Sequence, residues 1–251
     1  MATAVAQSPF AARSLPSRRY DHFFFSVVAW LILLTVFIGF APTYFFAGVF
    51  RAHLPSPYIH FHAAAFSSWV LLLVTQTSLV SAQRVDIHRR LGVLGFCLAC
   101  LMVLLGLLAA TNSLQRNFHP PGVDAKTFYM IPVVDMFNFS VLIFFAFRLR
   151  KDSPVHKRLI LIATVALLTA ALARFHIPFL SFNPLHATLT SYVFLVALAV
   201  YDLWSTHKLN SATAFGSAFL IASQMVRMPI AGTAAWQSFA SWVQAHSRWL
   251  V

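Results

Sequence analysis

Three ionisable side chains, Asp135, Arg174 and Arg227, sit inside apolar stretches of a 251-residue chain that has six acidic residues and no glutamate. A charge in hydrocarbon is costly and needs a protein, water or ligand partner, so each marks a candidate site. Asp135 lies about 10 Å below the start of its stretch, too deep for a short carboxylate to reach water, and needs an arginine or a proton. The partner expected for it is Arg174, on the next helix of an antiparallel hairpin. If Arg227 faces the same way, two cations meet one carboxylate. The charge left over suits an anionic group such as a carboxylate, a phosphate or a haem propionate. Trp69 and Gln76 share a helical face with His62, and Gln224 stands one turn before Arg227. His60 points to nearly the opposite side from His62. The expected ligand-binding set is therefore His62, Trp69, Gln76, Asp135, Arg174, Gln224 and Arg227.

Imidazoles suggest two further chemistries. Facing histidines could hold haem b between helices, with His88 and His156 at one side of the membrane and His62 and His176 at the other. Alternatively, His62, His176 and Asp135 could hold a metal ion at a hydrolytic site. Asp202 reads as one half of an interfacial salt bridge near His207 and Lys208. The Cys-x-x-Cys of Cys97 and Cys100 lies in an apolar run where no thiolate is stabilised, so both read as small packing residues. No zinc-type histidine spacing, serine elbow or phosphate-binding glycine loop occurs, and no lysine within an apolar stretch could carry retinal.

The elements that must position these residues are helices in a membrane. With 59% hydrophobic and 10% charged residues and a mean hydropathy of +0.75, the chain is an all-α polytopic bundle and not a soluble domain. Seven stretches are long enough to span: Phe23 to Gly48, Ile59 to Ala82, Leu91 to Leu114, Phe128 to Leu149, Leu159 to Phe179, Ala187 to Trp204, and Ala212 to Ile230. Residues 1–22 form a basic tail, 23–230 the membrane domain, and 231–251 an amphipathic outer-surface tail anchored by Trp236, Trp242 and Trp249. With the N-terminus inside, twelve of the lysines and arginines between spans fall in cytoplasmic segments and four outside. That bias sets the N-terminus in and the C-terminus out, and explains the net charge of +12 without nucleic acid as a partner. Beyond the lipid bilayer, the expected partners are anionic head groups at the cytoplasmic face.

A shift of 68 residues lays Val85-Asp-Ile-His88-Arg-Arg-Leu91 on Ser153-Pro-Val-His156-Lys-Arg-Leu159. The second-third and fourth-fifth helix pairs thus read as a parallel repeat. The strings His60-Phe-His62, Ser68-Trp69, Gln76, His88-Arg-Arg-Leu-Gly92, Asp135-Met136 and His156-Lys-Arg-Leu159 resemble a family of bacterial multi-pass membrane proteins. Its hallmark is a His-Arg-x-Leu-Gly turn between hydrophobic helices. The resemblance runs from about Tyr20 to the seventh stretch and implies the fold and a bacterial inner membrane, but no activity. A looser similarity to bis-histidine b-type cytochromes rests on histidines at both faces. The leading expectation is an outer, net-positive pocket that binds or transports a small anionic or lipid-like ligand. Haem-linked electron transfer and a metal-dependent hydrolase are the alternatives.

Overall fold

In hydrocarbon a backbone can satisfy its own N–H and C=O groups only as a helix or a closed barrel. The computed structural model describes residues 18–50, 57–181 and 183–248, and among these it is all-α without strands. The helices are α1 (Arg18–Phe40), α2 (Pro57–Ser81), α3 (Val85–Gln115), α4 (Ala125–Arg148), α5 (Ser153–Val165), α6 (Thr169–Leu172), α7 (Pro184–Ser191), α8 (Val193–Thr206), α9 (Ser211–Ala231) and α10 (Ala234–His246). A π-helical turn, Ala41–Phe45, extends α1. Seven spans are long and apolar enough to cross a membrane, with α5 and α6 forming the fifth and α7 and α8 the sixth. The chain is thus an integral membrane architecture, as composition requires. The expectations for Arg13, Arg51, His53 and Trp249, and for the tail up to residue 17, lie outside the described residues.

Neighbouring spans pack in sequence from α1 to α5, while α9 returns to lie against both α4 and α5. The fifth span is the most enclosed, and Ile162, Ala163, Val165 and Ala166 are fully buried. Large apolar side chains such as Phe23, Leu94, Val193 and Phe215 face outward, as lipid-facing residues do. Cys97 and Cys100 also face outward as free thiols, so neither is a packing residue of the interior.

The fifth span is not the continuous helix expected from Leu159 to Phe179. Between α5 and α6 the backbone tightens, with Leu167 and Leu168 N–H bonded to Thr164 and Val165 carbonyls, three residues back. Beyond Leu172 the chain leaves helical geometry through turns. Here α1 presses against the α6 backbone: a Cβ on Gly39 would stand 2.3 Å from the Ala171 carbonyl oxygen. Only glycine permits that approach. The sixth span is interrupted once, at Tyr192.

The C-terminal amphipathic helix exists as α10, docked on the ends of α3 and α4. Trp236 Nε1 donates to the Lys126 carbonyl at 2.8 Å, Gln115 Nε2 to the Gln244 carbonyl at 2.6 Å, and Ala240 is fully buried. Trp242 remains exposed.

Candidate functional site

The buried charges do not meet as the sequence suggested. Asp135 is bound by Arg227, whose Nη1 donates to Asp135 Oδ1 at 2.9 Å, and Gln224 Nε2 donates to the same oxygen at 3.1 Å. Arg227 Nη2 donates to Thr188 Oγ1 at 2.6 Å, and Thr188 lies 3.3 Å from the hydroxyl of Thr169. Arg174 is elsewhere. Its Nη1 donates to the Ala170 carbonyl at 2.5 Å and its guanidinium lies over the Phe40 ring, 4.6 Å from the centroid. The expected Asp135–Arg174 pair is therefore corrected to Asp135–Arg227. The tightened turn after Val165 and the end of helix at Leu172 carry Arg174 towards α1, while α4 and α9 pack directly. Two cations do not converge on one carboxylate, and the surplus positive charge expected there is not assembled.

His62 and His176 sit in different surroundings. His62 is half-buried on the ring of Phe66, at 4.1 Å between centroids, with Nδ1 unpartnered, whereas His176 is exposed in the turn after Arg174. Among the described residues no group of three histidine, cysteine or acidic side chains could hold a metal ion. The triad of His62, His176 and Asp135 is thereby corrected as well. His60 is engaged with the Tyr44 hydroxyl at 2.9 Å.

Asp202 is completely buried, in place of the interfacial bridge expected with His207 and Lys208. Arg158 Nε donates to Asp202 Oδ1 at 2.9 Å and Nη2 binds the same oxygen; Oδ2 accepts from Asn210 N–H at 3.1 Å and Thr213 Oγ1 at 2.5 Å. Every lone-pair direction that matters is used. This cluster ties α5, α8 and α9 together and leaves no valence for a ligand.

A third polar region is different in kind, because it is hollow. A cavity of about 450 Å³ opens among α1 to α5 at the end of the bundle that carries Arg84, Arg89, Arg90, Arg150 and Lys151. That lies within the roughly 300–1,000 Å³ of small-molecule and cofactor sites. Along α5 it reaches from Ser153 to Leu161, a depth of about 12 Å at 1.5 Å per residue. Its deep walls are apolar and aromatic, and its mouth is polar. Trp69 and Gln76, expected in the outer pocket with His62, line this slot. Trp69 Nε1 donates to Thr164 Oγ1 at 3.1 Å and is buried. On α3, Gly92 lines the slot beside Gln76, and a Cβ there would sit in ordinary contact with Gln76 Nε2 at 3.6 Å.

His88 and His156 face one another across the slot, with ring centroids 6.5 Å apart and planes nearly perpendicular at 83°. His156 Nδ1 lies 2.8 Å from the Ala146 carbonyl oxygen. A carbonyl only accepts, so Nδ1 carries the hydrogen and the neutral ring presents its lone pair at Nε2. A backbone carbonyl holding Nδ1 is the usual orientation of an imidazole that ligates through Nε2. His88 Nδ1 and Gln76 Oε1 are buried without a partner, although Gln76 Nε2 reaches the His88 carbonyl at 3.3 Å.

Asp21, His22 and Lys157, which line this region, escaped the sequence reading as site residues. Asp21 lay inside what read as a tail, and Lys157 read as an orientation signal, yet both line the mouth and bind each other. Asp21 at the first turn of an apolar helix was the available signal. No protein-family profile, curated protein or solved structure matches this chain. Function therefore rests on the geometry of its own residues.

Proposed function

We propose that this integral membrane protein binds haem b in the slot, with His88 and His156 as the two axial ligands, and serves as a one-electron carrier. The carrying observation is the facing imidazole pair across a cavity of about 450 Å³, one ring already oriented by a backbone carbonyl. Two imidazoles on one metal ion, at roughly 2 Å per metal–nitrogen bond, have ring centres about 6 Å apart, close to the 6.5 Å here. Among the described residues no group of three histidine, cysteine or acidic side chains could hold a bare ion. Haem, which would bring its own ring donors, would be held by His88 and His156 and would supply reversible one-electron chemistry, and this favours it over a bare ion. The protein's residues orient the axial nitrogens, wall off the macrocycle with Phe96, Phe147 and Trp69, and leave the mouth polar. By the lysine and arginine bias the mouth opens to the cytoplasm, where exposed Arg84, Arg89 and Arg90 meet anionic head groups.

The test is an absorption spectrum of detergent-purified protein before and after dithionite. A Soret band that moves on reduction, and that His88→Ala or His156→Ala removes while His62→Ala and His176→Ala keep it, supports the reading. Protein that is colourless after expression with added haem precursor and stays so after haem titration refutes it.

A small polar or lipid-like ligand that brings a hydrogen-bond donor to the Asp135 cluster is the second reading. It is favoured by Gln224 Oε1 and the Tyr192 hydroxyl, buried without partners near Asp135 and Arg227 where the sixth span is interrupted. Ligand-dependent protection against unfolding that Gln224→Leu abolishes would support it.

A further inference from the structure

Among the described residues Lys157 is the one lysine or arginine lining the slot, one residue after His156. Its ammonium donates to Asp21 Oδ2 at 2.5 Å and lies over the Phe25 ring, 4.7 Å from the centroid. The Tyr201 hydroxyl donates to the other oxygen, Asp21 Oδ1, at 2.5 Å. Asp21 is thus fixed from two helices at once, α5 and α8. An ammonium has three donors, and Asp21 takes one of those on Lys157. Haem b carries two propionates, and the apolar walls deeper in the slot offer a carboxylate nothing.

We propose that Lys157 anchors the carboxylate edge of the slot's ligand, bridging Asp21 to a haem propionate and so turning the macrocycle's acid edge to the basic mouth. The inference rests on the haem reading above and assigns Lys157 a positioning role with an electrostatic consequence. The Lys157–Asp21 pair is neutral, so a propionate joining it adds one negative charge to that cluster, within the basic end of the bundle. Lys157 favours the reduced iron by its positive charge, and Asp21 opposes it by its negative charge. Replacing each should move the redox midpoint in opposite directions.

The experiment is an optical redox titration of the full-length, haem-loaded protein, with retention measured for haem b and for its dimethyl ester. Lys157→Met should lower the midpoint potential and weaken retention of haem b about tenfold, the effect of one lost charge-assisted hydrogen bond. Asp21→Asn should raise the midpoint, and Lys157→Arg should keep both native values. With the dimethyl ester, native protein and Lys157→Met should retain haem equally. Unchanged midpoints in both variants, or a Lys157→Met defect that persists with the ester, would overturn the anchor while the Soret band leaves the haem reading standing. If Lys157→Met does not fold, the Asp21→Asn shift decides, together with weaker retention of the dimethyl ester than of haem b by native protein. A native protein without a Soret band rejects the haem reading, and the anchor with it.

Discussion

Removing Asp135 and Arg227 together should cost clearly less than the sum of removing each alone. Asp135 is 7% exposed and Arg227 3%, so neither charge can reach solvent when its partner goes. In Arg227→Met the carboxylate keeps only the Gln224 amide, a neutral donor at 3.1 Å. Stripping one partner from a buried ion pair costs about 3–5 kcal/mol. Asp135→Asn preserves an oxygen for Gln224 and Arg227 but leaves the guanidinium with Thr188 and no counter-charge. Its cost should be of the same order. The double variant carries no unpaired charge, so the two effects should fall short of their sum by about 1–3 kcal/mol, the coupling of residues in one network.

Arg174 provides the contrast. Its partners are the Ala170 carbonyl and the Phe40 face, with no carboxylate. Asp135→Asn and Arg174→Met should therefore add to within about 0.5 kcal/mol. Equilibrium unfolding in mixed micelles, followed by tryptophan fluorescence, gives both cycles from the same six proteins. Additive Asp135 and Arg227 effects, or coupling between Asp135 and Arg174, would refute the pairing and with it the account of why the fifth span turns away.

Gly39→Ala should destabilise by about 1–3 kcal/mol, as overpacking does, since the new methyl meets the Ala171 carbonyl at 2.3 Å; Gly48→Ala, with nothing within 4 Å, should be silent in the same thermal assay. Arg158→Met should cost about 3–5 kcal/mol, because Asp202 is fully enclosed and would keep only Thr213 and the Asn210 N–H; failure to lower the unfolding midpoint would show that this cluster does not hold α5 to α8. Asp124 caps α4 through the N–H groups of Lys126 and Thr127, and its carboxyl is held below the ordinary value of 3.8 by the Thr127 hydroxyl first and by these N–H groups, against a smaller opposing effect of burial. A depressed folded value means the cap stabilises above the unfolded value of about 4 and fades as pH falls through the folded one. Asp124→Ala should thus lose about 1 kcal/mol at pH 7 and show a shallower acid limb below pH 4 in a stability titration.

The spans were legible because lipid imposes one rule, long apolar runs with no interruption, and that rule survives any packing detail. Partner choice was not, because it depends on where a helix ends and in which direction its last turn faces. Nothing in Leu159 to Phe179 marks the tightened turn after Val165, nor the close packing of the next turn at Ala171 on Gly39 of α1, 132 residues earlier. Arg174 looked like the neighbour of Asp135 on the assumption of an unbroken helix, and Arg227 gained that place through the α4–α9 packing. Trp69 and Gln76 were correctly seen as one face, but the face looks into a slot that only the convergence of five helices creates.

The histidine pair was legible as an echo of two strings, and the fold supplies the reason the echo matters. His88 is the fourth residue of α3 and His156 the fourth of α5. Both helices pack against α4 and both start at the basic end, so equal offsets from their first residues put the two imidazoles at one depth on either side of that end of α4. Adding or removing one residue before either histidine would shift its ring by about 1.5 Å along the axis and about 100° around it. The 6.5 Å opposition would then be lost. Register at two helix starts, and not any local motif, is what brings these two imidazoles into opposition.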